Sequence, residues 1–321
     1  MKSKLIEGIL KKAGHPDLIE LMVQRLSFSE LQSLLLKIFE LKVSTKSSVD
    51  ILKDYQSNRF VQPSDIDPNL RRRLDLLIFS LLPLGFELID LSPLTPLGTS
   101  GVLTPVHQNN VVSTIRNMEV AADTTNVLAL ECALRRKEIC KKEMKSRERV
   151  KLCSSQRVTR GQPFEGKNFS AHFCVIALCS AGKDEGNDKF EAECLTEHVN
   201  FYIKIIDQLI LKKEIRNIVI KFFEYEGFDN CYIIKTIKSQ VASRKDVHIK
   251  TEKNSEFGKG YYSRLRFAIS VINQNQEEFD YIDGGFTDWT SKLLNNKKER
   301  LLTSGIGTDY LLRTIKIINL Q

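Results

Sequence analysis

The sequence predicts an α+β protein: a mostly antiparallel sheet flanked by helices, with a helical extension at the N-terminal end. Strand-like apolar runs, such as 173–179, 217–223 and 264–272, outnumber any simple strand–helix alternation. The stretch 1–62 instead repeats its apolar residues at helical spacing. With 42% hydrophobic and 27% charged residues, the 321-residue chain has the composition of an ordinary globule, which excludes collagen-like, coiled-coil and disordered classes.

In the extension, Ser27-Phe28-Ser29-Glu30 fits a capping box, in which the serine hydroxyl and the glutamate carboxylate each satisfy a backbone N–H at a helix start. Leu31, Leu34, Leu35, Ile38 and Leu41 follow on one helical stripe. The extension therefore reads as a helical hairpin packed on the main body, or as a docking surface. Pro63, Pro68 and the intervening turn formers mark 56–68 as a linker. The main domain, 69–321, opens with a helix over 71–82 that stops before Pro83 and Gly85. A strand over 86–91 is closed by Pro93 and Pro96. A strand over 111–115 and a long amphipathic helix over 126–145 come next. Beyond the β-rich run at 173–179 the patterning gives a helix over 194–211, strands over 217–223 and 264–272, and a glycine turn opening a helix over 305–320.

No run approaches the ~18 consecutive apolar residues of a membrane span, and the apolar stretch 76–82 is interrupted at Pro83. The opening residues lack a signal-peptide core, so a cytoplasmic protein without membrane association is expected. Seven cysteines show neither a CxxC pair nor zinc spacing and read as reduced, mostly buried thiols, with no metal site. A net charge of +8 suits an anionic partner such as a nucleotide or RNA without identifying one. Within 135–151, nine Lys and Arg stand against three Glu. That stretch reads as a solvated helix end, or as a guide for a polyanion by salt-dependent attraction. No aromatic residue is interleaved there, so base stacking is not supported.

Five blocks could carry chemistry, and their order matters more than any one of them. The helix at 71–82 runs into Gly85-Phe86-Glu87-Leu88-Ile89-Asp90-Leu91-Ser92-Pro93. Next come Glu119-Val120-Ala121-Ala122-Asp123-Thr124-Thr125, then Arg160-Gly161-Gln162-Pro163-Phe164-Glu165-Gly166-Lys167 with Phe169 and His172-Phe173. Phe257-Gly258-Lys259-Gly260-Tyr261-Tyr262-Ser263 is followed by Gly284-Gly285-Phe286-Thr287-Asp288. The last is Gly305-Ile306-Gly307-Thr308-Asp309-Tyr310. Together they resemble the catalytic core of the class II aminoacyl-tRNA synthetases, closest to the histidyl branch. That branch also contains the regulatory subunit of ATP phosphoribosyltransferase, which does not aminoacylate.

The resemblance implies a six- or seven-stranded antiparallel sheet and a homodimer built on the motif-1-like segment 71–93. It implies ATP and Mg²⁺ as cofactors if the chain is active, and a small amino-acid-like ligand. By motif position, Arg160 and Gln162 are the catalytic candidates, with Arg160 at the α-phosphate and Phe173 under the adenine; Tyr310 and Arg313 complete the nucleotide side. Asp123, Thr125, Lys167, Tyr261, Tyr262 and Asp288 fall at substrate positions. Asp123-Thr124-Thr125 is equally a helix N-cap on its own chemistry.

The departures from the pattern point one way. Phe257, Phe286 and Tyr310 stand where the family has arginines, Gly260 where it has an aspartate, Gln162 where it prefers glutamate and Lys167 where it has a second arginine. Removing a guanidinium contact to a desolvated phosphate costs about 2–4 kcal/mol in a transition state, so losing two slows adenylation by on the order of 10³-fold or more. Val175 and Cys179 fall where the histidyl branch reads the imidazole, and neither hydrogen-bonds a ring nitrogen well. With so few residues after the last block, no anticodon-binding domain is expected. The expectation is a histidyl-tRNA synthetase-like paralogue that does not charge tRNA with histidine and senses a ligand or regulates a partner enzyme. The alternative is a stand-alone ATP-dependent adenylate-forming ligase, and an RNA-binding module ranks third.

Overall fold

A computed structural model of the chain describes residues 4–162, 170–210, 214–256 and 258–314. Close backbone contacts divide the chain into two units, 1–62 with 113–118, and 63–112 with 119–321. The first unit holds helices α1 (Lys4–Ala13), α2 (Leu18–Arg25), α3 (Phe28–Val43) and α4 (Ser48–Ser57). Both α3 and α4 start at a capping box, Ser27 with Glu30 and Ser47 with Asp50. On the α3 stripe, Leu31 and Leu35 are half-buried, while Leu34, Ile38 and Leu41 are exposed. Among the described residues of these four helices only Leu10 is buried.

The second unit begins with α5 (Pro68–Ser80). Asp67 caps it, a proline occupies its first turn where no N–H is needed, and it ends ahead of Pro83. The strand expected over 86–91 shrinks to β1 (Glu87–Leu88), although Ile89 N–H still donates to the Cys153 carbonyl. Next come β2 (Leu94–Pro96) and α6 (Thr99–Leu103). The strand expected over 111–115 does not form. A single 3-10 turn precedes Val111, a tight turn joins Thr114 to Met118, and the strand is β3 (Met118–Val120), paired with β2.

Helix α7 (Thr124–Lys142) leads into β4 (Val150–Thr159) and β5 (His172–Lys183). Then follow α8 (Lys189–Leu209), β6 (Ile215–Glu224), α9 (Cys231–Val241), β7 (Val247–Lys253), β8 (Leu265–Asn273), β9 (Glu278–Thr287), α10 (Trp289–Leu293), β10 (Glu299–Gly307) and α11 (Thr308–Thr314). The glycines at 305 and 307 do not open a helix as expected: they lie in β10, Gly305 opposite Ala177 and Asp283, and the helix starts at Thr308. Its expected continuation past 314 lies outside the described residues.

Eight strands form one sheet in the order β1-β4-β5-β10-β9-β8-β6-β7. The inner pairs are antiparallel and the two edges, β1 on β4 and β7 on β6, are parallel. One face carries α5, α8 and α9 over a core that includes Leu74, Ile78, Phe190, Phe222 and Phe267. Leu128, Cys132 and Ala129 of α7 and Trp289 of α10 cover the β4–β5 end of the other face. The expected solvated face at 135–151 is broken by Arg136. This guanidinium is fully buried, donates to Glu299 at 2.9 Å, and also donates to the Glu148 carbonyl. Five cysteines are buried, Cys140 is partly so, and Cys231 is exposed. Among the described residues no helix is long and apolar enough to cross a membrane.

Candidate functional site

Beyond the N-terminus of α7, the same sheet face is left open, and a cavity of about 520 Å³ sits over β5, β10, β9 and β8. Four of the residues that resemblance assigned to the substrate, Asp123, Thr125, Tyr261 and Tyr262, meet Arg160, assigned to the α-phosphate, here. Asp123 is the N-cap of α7. Its Oδ1 accepts from the Thr125 N–H at 3.0 Å and the Thr125 hydroxyl at 2.8 Å. Its Oδ2 faces the other way and accepts from Arg160 Nη2 at 3.0 Å and the Tyr261 hydroxyl at 3.3 Å. One carboxylate thus closes a helix end and anchors a cavity wall.

Arg160 directly follows β4. Its Nε donates to the Ala122 carbonyl at 3.0 Å, and its guanidinium lies 5.1 Å from the centre of the Phe173 ring on β5. The ring assigned to adenine stacking is therefore already covered by a cation. Gly161 keeps the turn tight: its N–H donates to the Asn110 carbonyl at 2.8 Å, and a Cβ there would meet the Asn110 backbone at 3.0 Å. Gln162 lines the cavity and is exposed. Below this wall, Glu119 accepts from the Gly98 and Ser100 N–H groups and from Gln108. Those bonds hold its carboxyl below the usual range although burial pushes the other way, and they fix α6 beside the cavity.

Tyr261 and Tyr262 follow the turn at Gly258, whose φ of 79° suits glycine. The two rings meet edge to face at 4.9 Å, and Tyr261 packs on the buried Trp289 at 5.2 Å. Burial pushes both phenols well above their ordinary pKa, so both remain hydrogen-bond donors at neutral pH.

The remaining wall was not foreseen. Tyr262 donates to Asp283 Oδ2 at 2.7 Å, and Arg266 Nε donates to Asp283 Oδ1 at 2.7 Å. The Arg266 guanidinium also covers the Phe223 ring at 4.6 Å. Enclosure by the cavity walls, against the opposing charge of Arg266, raises the Asp283 pKa, although half of the side chain still opens to the cavity. Asp280 joins this wall and bonds to Lys221 at 2.9 Å and to Ser270. The only sequence signal for Asp283 was its place directly before Gly284-Gly285, where a Cβ would come within 2.6 Å of neighbouring atoms.

Asp123, Thr125, Arg160, Gln162, Phe173, Tyr261 and Tyr262 thus share one cavity. The other assigned residues sit elsewhere. Arg313 pairs with Asp65, and Asp288 stands at the N-cap position of α10 and pairs with Lys292 at 3.0 Å. Tyr310 packs against Tyr281 at 5.6 Å, outside the lining. Lys167 and Phe257 lie outside the described residues. Phe286 is buried in the core, so the place of a family arginine is now a packing position. Val175 lines the cavity, while Cys179 is buried behind it with its thiol 3.7 Å from the Thr125 carbonyl. In the basic stretch, Arg135, Arg136, Lys141, Arg149 and Lys151 are all engaged in ion pairs.

Compared by sequence, neither a protein-family model nor a curated protein matches this chain. Compared by structure, it is similar to an ATP phosphoribosyltransferase regulatory subunit/histidyl-tRNA synthetase from Bacillus halodurans, with a TM-score of 0.58, 11% identity, and coverage of 80% of this chain and 82% of that one. The histidyl-tRNA synthetase of Nostoc sp. PCC 7120 aligns at a TM-score of 0.57 and 11% identity over 82% of this chain and 77% of its own. The S. aureus enzyme gives 0.53 and 13% over 78% and 67%. The chain has the class II synthetase fold, and at these identities the likeness is one of fold.

Proposed function

We propose that this chain is a histidyl-tRNA synthetase-like paralogue that does not charge tRNA with histidine and acts as a ligand-sensing or regulatory protein, its cavity taking a small amino-acid-like ligand. The observation that carries this reading is a divided site. Asp123, Thr125, Arg160, Tyr261 and Tyr262 line one cavity, while Phe286 and Tyr310, at two arginine positions of the family, are packing residues. Asp123 and Arg160 set a carboxylate beside a guanidinium on the cavity wall, and an amino acid's ammonium and carboxylate match that pair in sign if they exchange with its ion pair. The residues present do not fit a magnesium-bound triphosphate. Three carboxylates against two guanidiniums line the cavity, an excess of negative charge that a polyphosphate would meet. Val175, apolar at the imidazole-reading position, argues against histidine. A regulatory role implies a partner enzyme, for which the Bacillus halodurans protein offers a precedent by its description. The ion pairs along 135–151 leave RNA less favoured.

Arg160 and Phe173, in motif 2 order, favour as the second reading an ATP-dependent ligase activating a small carboxylate. ATP–pyrophosphate exchange across the twenty amino acids separates the two. Background exchange with every amino acid is expected, and exchange with any one of them would establish the ligase instead.

A further inference from the structure

The unforeseen wall of the cavity bears on which amino-acid-like ligand enters. In a regular strand Asp280 and Asp283, three residues apart, would face opposite sides of the sheet. Here β9 carries a bulge: Ile282 pairs with Ile269 but Asp280 pairs with Ser270, leaving Tyr281 as the extra residue. The phase of the strand slips by one, and both carboxylates reach the cavity face, beside Arg266 and Ala268. Ala268, between Arg266 and Ser270 on the neighbouring strand, leaves the space in front of them open.

The two ions of this wall are not equally available. The Arg266 side chain is 12% exposed, packed on Phe223 and bonded to Asp283, whereas the Asp283 side chain is 50% exposed and accepts one hydrogen bond at each oxygen. A carboxylate oxygen accepts about two, so each Asp283 oxygen keeps capacity directed at the cavity. Asp280, 64% exposed, adds a second acceptor. We infer that the ligand is an amino acid with a cationic distal end, its side-chain ammonium or guanidinium received by Asp283 while its head group lies toward the Asp123–Arg160 end of the cavity. This rests on the proposal that the cavity binds an amino-acid-like ligand, and adds the charge of the far end. A dicarboxylic ligand would meet the acidic side of the wall, and a neutral one would gain nothing from the spare acceptor capacity of Asp283.

The test is calorimetric titration of the full chain at pH 7.5 with lysine, ornithine, arginine, norleucine, histidine and glutamate, on wild type and on Asp283→Asn. At least one of lysine, ornithine or arginine is expected to bind tenfold or more tighter than norleucine, which has the lysine backbone and chain without the ammonium. Asp283→Asn should reduce that preference to less than threefold while leaving the melting temperature within a few degrees. The wild-type ratio decides the matter even if the variant fails to fold. Equal or tighter binding of norleucine, histidine or glutamate would overturn the cationic assignment and leave the cavity reading standing. Binding of none of the six at millimolar concentration would overturn both.

Discussion

His198 of α8 lies fully buried against β5 and β10, its Nε2 3.0 Å from the Ser180 hydroxyl and its Nδ1 2.8 Å from Ser304, with Phe86 packed on the ring. Burial, helped by the charge of Lys151, lowers its pKa to about 3. In the unfolded chain it titrates near its ordinary value of about 6.5. Between those values the unfolded state holds a proton that the fold excludes. Stability from this residue is therefore complete above about pH 6.5, falls by up to about 1.4 kcal/mol per pH unit below it, and levels off near the folded value. Urea melts at pH 4, 5 and 7 should show a shallower acid limb in His198→Gln than in wild type, by about one proton. Equal slopes would show that other groups govern acid unfolding. None of this was legible beforehand, because a histidine inside an amphipathic helix gives no sign of what faces it. The cavity residues were unevenly legible for a related reason. Asp123, Arg160 and Tyr261 sit in local patterns with a motif-like order, whereas Arg266 and Asp283 become partners only when β8 and β9 pair.

The β8–β9 pairing also shows what single elements can conceal. Gly284 and Gly285 sit mid-strand, where glycine usually weakens a sheet. A Cβ on Gly284 would stand 2.6 Å from Phe267 Cε1 and Ser304 Cβ and 2.7 Å from the Thr303 carbonyl; on Gly285 it would stand 2.6 Å from Tyr262 Cδ1. Gly284→Ala should thus cost about 1–3 kcal/mol as an overpacked core, read as a drop in the urea midpoint at unchanged m. A change below ~0.5 kcal/mol would mean that the strands separate more freely than this packing allows. Strong signals made α3, α5, α7 and α8 visible in the sequence: capping residues, a helix-stopping proline, and long apolar stripes. β10 was misread because Gly305 and Gly307 imitate a turn, although they lie between β5 and β9, with Gly305 close against Val175. β7, exposed along most of its length, lacks the apolar run that marks a strand, and β4 mixes Ser, Gln and Arg into its pattern.

At the scale of the whole molecule, the expected antiparallel sheet is present, with parallel strands at both edges. Local patterning supplies strand character but not strand order, and resemblance implied only an antiparallel sheet of six or seven strands where eight are present. The same source supplied the homodimer, and the surface gives a physical reason to propose it. Among the described residues β1 is an edge strand paired only with β4. In and just before it Leu84 and Leu88 are exposed, Leu84 at 98%, as is Leu76 on the preceding helix α5. Arg135 pairs with Glu87 at the same edge. A two-fold copy placed on this segment would cover its own equivalent leucines, the isologous arrangement that most small assemblies use. Each leucine removed from water contributes at most about 1.5–3 kcal/mol, so a stable dimer needs the wider α5–β1 surface, about 800 Å² per partner, as well. Light scattering at micromolar concentration should give twice the 36.7 kDa of one chain. Leu84→Asp together with Leu88→Asp would bury carboxylates without partners at the contact, a cost of several kcal/mol. The double variant should therefore scatter as a monomer while keeping the wild-type circular dichroism. A wild-type monomer would remove the motif-1-like segment as an interface and leave its exposed leucines without a partner of their own kind.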